Sequence, residues 1–273
     1  MKPFFVSIPH AGETVPKETP WLRDLPERVL MCDVDRYVDD LYGPAAQGLG
    51  VPTVITEVHR YVVDANRLPD DIDQDSVEDS ENPPGKFTIG YHWSQTTTGA
   101  YLMKSPMTMA LHHELTKKYF SPFHQQVLAQ FAQFKSAGAQ KVYQLDAHSM
   151  PSKGTAAHRD PGGKRAEIVV SDRDGTSCEP WYKDVVIEAY RSAGFDVAYN
   201  WPYKGGRITE TYGQPANGQH TLQVEMNRSL YMDEHSKQKA TDLFADVEKR
   251  IFRALATIVA EMPALPNVGL GRL

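Results

Sequence analysis

The sequence predicts an α/β fold, in which a mostly parallel or mixed sheet carries helices on both faces. Short apolar runs of strand length alternate with longer segments whose apolar residues recur at helical spacing. The chain has 273 residues, 41% of them hydrophobic and 23% charged, which is the composition of a globular domain and not of a disordered chain. We therefore expect residues 1–273 to form a single α/β domain.

The composition also narrows the class of partner and the compartment. A net charge of -6 without a basic run argues against nucleic acid as the main partner. Neither Cys32 nor Cys178 lies in a C-x-x-C pair, so a thiolate metal cage or a disulfide framework is not expected. The apolar run near the N-terminus is too short for a signal peptide, and no stretch approaches the ~20 apolar residues of a membrane span. We predict a cytoplasmic protein without a nucleic-acid or membrane partner, and the sequence carries no signal for a particular oligomeric state.

The first part of the chain predicts a strand, a helix and a second strand. Pro3–Ile8 is a short apolar run that ends at a proline and a glycine turn, as a buried strand does. Asp33–Leu49 has apolar residues at helical spacing, with Asp33 as N-cap, although Pro44 is unfavourable inside a helix. Thr53–Glu57 is again typical of a strand.

The rest of the chain continues this alternation. Pro106–Ala137 is a long helical pattern interrupted at Ser121-Pro122, which predicts two helices or one kinked helix. His112 and His113 lie within it and point in different directions, and we interpret both as surface residues. Further strands are predicted at Lys141–Leu145, Ala166–Val170, Phe195–Tyr199 and Thr221–Met226, and further helices at Trp181–Ser192 and Lys237–Met262.

Two histidines follow predicted strands at the point where each strand ends. His10 comes after the first strand and His148 after Lys141–Leu145. Because sites in open α/β sheets form beyond the carboxyl ends of the strands, we expect the two imidazoles to share one site. Imidazole is a common zinc ligand, and a catalytic zinc takes three protein ligands plus water. The pair therefore predicts one zinc per chain, although other divalent metals use the same ligands.

A carboxylate is needed as the third ligand, and three residues are candidates. Asp33 and Asp35 start the helix that follows the first strand, and Glu57 follows the second strand. The alternative role of the two aspartates is to cap that helix and to interact with its dipole. The residues alone leave the choice among the three open.

Glu225 is a candidate general base because it lies in an otherwise apolar strand. Strict alternation puts Leu222, Val224 and Met226 on one face of that strand, and Gln223 with Glu225 on the other. A carboxylate is costly to bury unless it is paired or functional. If the second face looks into the crevice, Glu225 can take a proton from an attacking water; if that face is solvated, no chemistry follows.

Basic residues near the predicted strand ends are candidates for binding an anionic substrate. Arginine presents a rigid fork that suits carboxylates, although a surface ion pair is the commoner use of a single arginine. Asn66-Arg67 follow an apolar run, and Lys204 to Arg207 form a basic turn with two glycines whose spacing is not that of a P-loop. The cationic candidates are Arg60, Arg67, Lys204 and Arg207.

Several motifs, in order along the chain, together resemble the N-formylglutamate amidohydrolase (deformylase) family. They are SIPHAG at 7–12, DVDRYVDDLY at 33–42, RYVVDANR at 60–67, DRDGTSC at 172–178, KGG at 204–206 and HTLQVEMNRSLYM at 220–232. Each motif is weak alone. Together they are specific to the family and less specific to one substrate.

The resemblance implies both a fold and an activity. The fold would be phosphorylase/hydrolase-like and related to zinc carboxypeptidases. The activity would be hydrolysis of the formyl amide of N-formyl-L-glutamate to L-glutamate and formate, a late step in one route of histidine degradation.

By position, the resemblance also assigns roles to residues. Zinc would be held by His10, Asp35 and His148. Glu225 would be the catalytic base. A substrate carboxylate would be held by Asn66 and Arg67, and the further substrate-binding candidates are Arg60, Lys204, Arg207 and His220.

The sequence departs from the family pattern at two places. His59 stands where a serine is expected, and the segment Pro151–Lys164, which contains His158, differs from the corresponding loop of the deformylases. We expect this segment to border the substrate pocket. The first alternative is therefore a zinc hydrolase of another N-acyl amino acid or a short peptide. The second is a non-catalytic protein that binds acyl amino acids, against which the two histidines, the aspartates and Glu225 weigh.

Overall fold

A computed structural model describes residues 2–265 of the chain. Its strands are β1 (Phe4–Ile8), β2 (Thr53–Ile55), β3 (Val142–Met150), β4 (Ile168–Ser171), β5 (Val197–Tyr199) and β6 (Gln219–Asn227). They form one sheet in the order β2-β1-β3-β6-β4-β5. The first four strands of that order are parallel, whereas β4 runs antiparallel to β6 and parallel to β5. The predicted α/β class with a mixed sheet is confirmed.

Helices cover both faces of the sheet. They are α1 (Pro20–Arg23), α2 (Glu27–Leu30), α3 (Val38–Gly48), α4 (Met109–Leu115), α5 (Ser121–Ser136), α6 (Pro180–Ser192), α7 (Arg207–Tyr212) and α8 (Thr241–Glu261). Helices α3, α6 and α8 pack on one face, in a cluster with Val6, Leu145 and Val224. Helices α5 and α7 pack on the other face around Phe5 and Val142. Within the described residues, no helix has the length and apolarity that crossing a membrane requires.

The long helical pattern continues through the predicted interruption. One turn of π-helix, Thr116–Phe120, joins α4 to α5. Ser121 donates both its backbone N–H and its hydroxyl to the carbonyl of Thr116. Pro122 lies in the first turn of α5, where its missing N–H is tolerated.

The prediction that His112 lies on the surface is wrong. His112 is buried, and its Nδ1 lies 2.9 Å from Nε2 of His92. Nδ1 of His92 in turn donates to the carbonyl of Val62 at 2.7 Å. The long segment between β2 and α4 folds over this part of the helix and buries it, whereas His113 is exposed as predicted.

Helix α3 begins later than predicted, so the capping role considered for Asp33 is wrong. The N-cap position is Tyr37, which has a left-handed backbone (φ 68°) and makes no side-chain capping bond. Asp33 and Asp35 precede this position and turn away from the helix. Pro44 lies inside α3, where the helix lacks one backbone donor.

Strand β3 is longer than predicted, and this places His148 inside the strand rather than after it. Its pairing with β6 extends to Met150 opposite Asn227. All nine residues of β3 are buried, because β1 and β6 flank the strand and other parts of the chain cover both faces of the sheet. The polar residues of this strand are therefore held in regular backbone in the middle of the sheet.

The segment between β2 and α4 supplies a third apolar cluster beside the sheet. The described chain has no regular helix or strand in this segment. Its core contains Tyr61, Val63, Tyr91 and Trp93. Irregular chain of this length in a compact protein is typical of functional segments.

Candidate active site

The candidate site lies at the carboxyl ends of β1 and β3. The register pairs Ser7 with Asp146, so His10 and His148 lie just beyond a shared rung of the sheet. Their ring centroids are 4.8 Å apart. The turn after His10 passes directly against the backbone that follows β2: a Cβ on Gly12 would lie 2.4 Å from the carbonyl carbon of Glu57. Only glycine allows this approach.

Asp35 joins the two histidines. Its backbone N–H donates to the carbonyl of His10 at 3.0 Å. Its Oδ2 lies 3.5 Å from Nδ1 of His10 and 3.1 Å from Nδ1 of His148. Its Oδ1 accepts hydrogen bonds from Ser149 Oγ at 3.1 Å and from Arg228 Nη2 at 3.0 Å. The carboxylate is thereby oriented with Oδ2 toward the two imidazoles.

Two further buried carboxylates fix the orientation of the histidines. Asp64 Oδ1 lies 2.7 Å from Nε2 of His10, and Asp146 Oδ2 lies 2.8 Å from Nε2 of His148. Histidines that bind a metal through one nitrogen commonly donate the other N–H to a carboxylate in this way. With Nε2 protonated in both rings, both Nδ1 lone pairs point at Asp35.

This arrangement leaves one oxygen and two nitrogen lone pairs facing each other, which suits a bound cation. One ligand atom from each of His10, Asp35 and His148 lies within 4.8 Å of the others. Nδ1 of His10 is buried and has no hydrogen-bond partner. Two imidazole nitrogens and a carboxylate oxygen form a typical donor set for zinc and related divalent metals. The residues therefore fit a metal ion.

The electrostatics of this cluster favour positive charge. Burial disfavours the ionised form of Asp35, but the nearby His10, His148 and Arg60 outweigh it and hold the pKa of Asp35 well below its usual range. Burial also disfavours imidazolium at His148, yet the charge of Asp146 and the bond to Asp35 raise its pKa well above the ordinary value. In the metal-free protein a proton on His148 therefore carries part of the charge that a metal ion would supply.

Glu225 lies beside this cluster on β6, directly opposite His148 in the register. It is buried, and its Oε1 accepts a hydrogen bond from Gln223 Nε2 at 2.7 Å. Burial raises the pKa of Glu225 to about 7, against the lowering effect of His148. The face of β6 that carries Glu225 is thus enclosed rather than solvated, while Val224 on the other face packs in the core.

A cavity of about 360 Å³ opens onto the cluster. Among the sequence-predicted residues, Asn66 and Arg67 line it together with the two histidines, Asp35 and Glu225. Asn66 is locked in place: its Oδ1 accepts from the backbone N–H of Ile208 at 2.8 Å, and a Cβ on Gly206 would lie 2.2 Å from its Nδ2. Arg67 Nη1 donates to the carbonyl of Asn66 at 2.9 Å.

Arg60 also lines the cavity, but most of its guanidinium is used within the protein. Nη1 donates to the carbonyl of Asp33 at 2.8 Å, and Nη2 donates to Asp64 Oδ2 at 2.9 Å. The group stacks over Trp93 at 4.6 Å from the ring centroid. Its Nε is buried without a partner.

The structure does not bring the other three substrate-binding candidates into this cavity. Lys204 is exposed and pairs with Asp174 at 2.8 Å, although the two glycines after it line the cavity. Arg207 pairs with Glu210 and lies on an adjoining cleft. His220 lies at the start of β6, at the opposite end of the strand from Glu225, where its Nδ1 accepts from the backbone N–H of Glu179.

The two rival carboxylates are not part of the ligand cluster, although Asp33 lines the same cavity. Asp33 accepts hydrogen bonds from Tyr61 Oη at 2.6 Å and from Thr97 Oγ1 at 2.5 Å, so its carboxylate is satisfied by the irregular segment. Glu57 is exposed and lines a separate cleft with Glu13. Of the three carboxylates, only Asp35 lies between the histidines.

The segment Pro151–Lys164 borders the cavity through Pro151, Ala157 and His158. It is tied down by Arg165, which binds both oxygens of Asp160, at 2.9 and 2.8 Å. Arg165 Nη1 also donates to Tyr203 Oη at 2.9 Å.

Sequence reasoning missed Asp64, Asp146 and Arg228, which orient the three candidate ligands. A signal existed for Asp146, because a carboxylate two residues before His148 in a strand shares its face. Asp64 lies within the RYVVDANR motif, but nothing local connects it to His10.

The mixed sheet and the cluster at its carboxyl edge define the class of protein: an α/β protein with a candidate metal centre. The chain belongs to the N-formylglutamate amidohydrolase family, whose sequence profile matches residues 2–232. The resemblance inferred from its motifs is confirmed.

Known relatives are similar over most of their length. The N-formylglutamate deformylase of Pseudomonas aeruginosa PAO1 is 28% identical over 261 residues, which span 93% of this chain and 91% of the relative. The N-formylglutamate deformylase of Pseudomonas putida is 30% identical over 241 residues, or 85% of this chain and 82% of the relative. The crystal structure of N-formylglutamate amidohydrolase from Ralstonia eutropha JMP134 superposes with a TM-score of 0.78 at 28% identity, covering 95% of this chain and 94% of that one.

Proposed function

We propose that this protein is a metal-dependent amidohydrolase that cleaves the formyl amide of N-formyl-L-glutamate to L-glutamate and formate. Membership of the family supports hydrolysis of that amide, because both curated relatives are named N-formylglutamate deformylase. The cytoplasmic location, the part in histidine degradation and the single-domain organisation remain predictions from the sequence.

One observation supports the proposed metal dependence. The Nδ1 atoms of His10 and His148 both face Oδ2 of Asp35, while their Nε2 atoms are held by carboxylates. Without a cation or an added proton, this contact would bring lone pairs against a negative oxygen. These three residues would hold one divalent ion, with zinc as the proposed metal.

The bound metal and Glu225 would have different roles in the reaction. The bound metal would supply Lewis-acid polarisation of the amide carbonyl and would lower the pKa of a coordinated water. Glu225 would take a proton from the attacking water as its oxygen bonds to the formyl carbon. Glu225 would then pass that proton to the departing nitrogen as the C–N bond breaks. Formate and the free amino group of glutamate are the products.

Arg67 and Asn66 would hold the substrate in the cavity. Both residues line it, and Arg67 uses Nη1 and Nε for backbone carbonyls. Its Nη2 makes no hydrogen bond within the described residues, which suits a substrate carboxylate. The segment Pro151–Lys164 would form part of the cavity wall and set the size of the acyl amino acid.

The test is metal content measured together with turnover. The protein would be purified without chelator, its metals quantified by elemental analysis, and formate release from N-formyl-L-glutamate assayed. We expect about one zinc per chain and formate release that a chelator abolishes and added zinc restores.

A substrate panel separates the alternatives. N-acetyl-L-glutamate, other N-formyl amino acids and dipeptides would be assayed in parallel. If the protein contains zinc but hydrolyses another member of the panel in place of N-formyl-L-glutamate, that acyl amino acid or peptide is the favoured substrate. If the metal-replete protein binds an acyl amino acid stoichiometrically but does not hydrolyse it, the non-catalytic alternative is favoured.

A further inference from the structure

A chain of buried hydrogen bonds runs across three strands of the sheet to the candidate metal centre. Thr221 Oγ1 on β6 donates to Gln144 Oε1 on β3 at 3.0 Å. Gln144 Nε2 donates to Ser7 Oγ on β1 at 2.8 Å, and Ser7 Oγ donates to Asp146 Oδ1 at 2.6 Å. Asp146 Oδ2 then meets Nε2 of His148. Thr221, Gln144, Ser7 and Asp146 are completely buried.

The sheet register places these side chains side by side. Gln144 is opposite Thr221, and Asp146 is opposite Ser7. Gln144, Asp146 and His148 alternate along β3 and therefore share one face of it. Phe5 and Val142 form an apolar core on one part of this face, whereas the centre of the face is polar. Buried polar groups of this kind are costly unless every one is satisfied.

The direction of each hydrogen bond follows from the carboxylate at its end. Asp146, as a carboxylate, can only accept, so Ser7 must give it its single proton. Ser7 must then accept, which turns the NH₂ group of Gln144 toward it. The oxygen of Gln144 is left facing Thr221, whose hydroxyl must donate. One arrangement of protons is thus compatible with an ionised Asp146 that also accepts from His148.

We propose that Ser7, Gln144 and Thr221 are positioning residues that set the metal affinity of the site through Asp146 and His148. The inference rests on the proposed function, because it assumes that His148 Nδ1 binds the metal. With Oδ1 of Asp146 fixed by Ser7, the carboxylate cannot rotate about its own bond. His148 therefore keeps the ring orientation that points Nδ1 at Asp35. Outer partners of metal ligands typically change metal affinity 10- to 100-fold when they are removed.

The test uses two substitutions that interrupt the hydrogen-bond chain and two control substitutions. Ser7→Ala removes the donor to Asp146, and Thr221→Val removes the hydroxyl at the far end with nearly the same shape. Thr221→Ser keeps that hydroxyl. Ser76→Ala removes another fully buried serine, whose hydroxyl donates to the carbonyl of Asp73 in the irregular segment. Zinc affinity is measured by competition with a chromophoric chelator, and the absorption spectrum of the cobalt-substituted protein reports the ligand geometry.

We expect Ser7→Ala to weaken zinc binding about tenfold or more and to shift the cobalt spectrum. Thr221→Val should weaken zinc binding by a smaller factor, about threefold, in the same direction. Thr221→Ser and Ser76→Ala should stay within about twofold of the parent protein. Because Thr221→Val changes little volume, the Thr221 pair keeps the test valid if Ser7→Ala fails to fold.

Zinc affinities and cobalt spectra that match the parent in Ser7→Ala and Thr221→Val would overturn the positioning role. If the metal-free forms of these variants are less stable to heat but bind zinc with unchanged affinity, the hydrogen-bond chain has only a structural role. A parent protein that binds no zinc at all would instead overturn the proposed function, so the two failures are distinguishable.

Discussion

Glu225 is the residue whose substitution should separate chemistry from metal binding. Glu225→Gln keeps the shape of the side chain and removes its ability to take a proton. We expect kcat to fall by about 10²- to 10⁴-fold, the usual contribution of a general base. Metal content should be unchanged, because Glu225 is not among the clustered ligand atoms. Elemental analysis and formate release, measured on the same sample, check both expectations.

Glu57→Gln is the matched control, since Glu57 is exposed outside the cavity. It should retain the parent activity. Turnover by Glu225→Gln at the rate of this control would remove Glu225 from the mechanism.

Arg67 should determine how tightly an anionic substrate binds. Arg67→Ala removes a guanidinium that lines the cavity, and we expect kcat/KM to fall by about 10²-fold, mainly through KM, because a charge-assisted pair is lost. Arg207→Ala serves as the comparison, since Arg207 pairs with Glu210 on the adjoining cleft. Steady-state kinetics in which Arg207→Ala is the more damaging change would reassign the substrate anchor to Arg207.

At the residue scale, the sequence predicted those candidate ligands whose position follows from a strand end. His10 and His148 could be paired because parallel strands bring their carboxyl ends together. The choice of Asp35 over Asp33 could not be made from the residues, because it depends on Tyr61 and Thr97, which occupy Asp33 from a distant segment. Contacts of this kind leave no periodic signal in the sequence.

At the scale of elements, periodicity predicted the strands and the long helices. It missed α1, α2 and α7, which have four to six residues and are too short to display a helical period. It also ended β3 too early, because Asp146 and His148 are polar residues in a strand that is buried throughout. Burial of that strand depends on its two neighbours in the sheet and on the helices that cover both faces, and local sequence does not encode it.

The loop before α7 should be sensitive to a single methyl group. A Cβ on Gly206 would lie 2.2 Å from Asn66 Nδ2, so Gly206→Ala must displace Asn66 or the loop. Since Asn66 lines the cavity beside Arg67, we expect kcat/KM to fall by at least about tenfold. Gly43→Ala is the control, because a Cβ at Gly43 in α3 would meet nothing within 4 Å. Equal activity of the two variants in the formate assay would contradict this tight contact.

The irregular segment should lose stability in mild acid because it buries a neutral histidine. Burial lowers the pKa of His59 from its ordinary 6.5 to about 4. Between these values the unfolded chain binds a proton that the folded chain excludes, so stability falls as pH drops from about 6.5 to 4. The neutral His59 lowers the free energy of unfolding by about 2 kcal/mol at pH 5, relative to neutral pH.

Urea unfolding at pH 7 and pH 5 measures this loss. His59→Gln should show a smaller difference between the two pH values than the parent protein. His113→Gln, which changes an exposed histidine on α4, should keep the parent's difference. An unaltered pH difference in His59→Gln would mean that His59 is protonated in the folded state.

At the scale of the whole molecule, metal removal should lower stability as well as activity. The cluster gathers the carboxylates of Asp35, Asp64, Asp146 and Glu225 in buried positions. A ligand that binds only the folded state stabilises it by about 2.7 kcal/mol when present at 100 times its Kd. For a chain of this size, such a change corresponds to a rise in Tm of about 5 °C.

Calorimetry with and without a chelator checks this expectation. Re-addition of zinc should restore the higher Tm, whereas magnesium, which prefers oxygen ligands, should not. A Tm that is indifferent to chelator and to zinc would contradict a metal centre in the folded protein.

The connectivity of the sheet dictates when the centre can be completed as the chain is made. Asp35 and His148 are 113 residues apart, and β1 meets β3 only after the whole intervening segment has been synthesised. Parallel strands cannot be joined by a tight hairpin, so no local shortcut brings these residues together earlier. A nascent chain that ends before β3 carries His10 and Asp35 but not the second imidazole. Under the proposed function, a metal ion can therefore meet its full set of three ligands only late in synthesis, after β3 has been made.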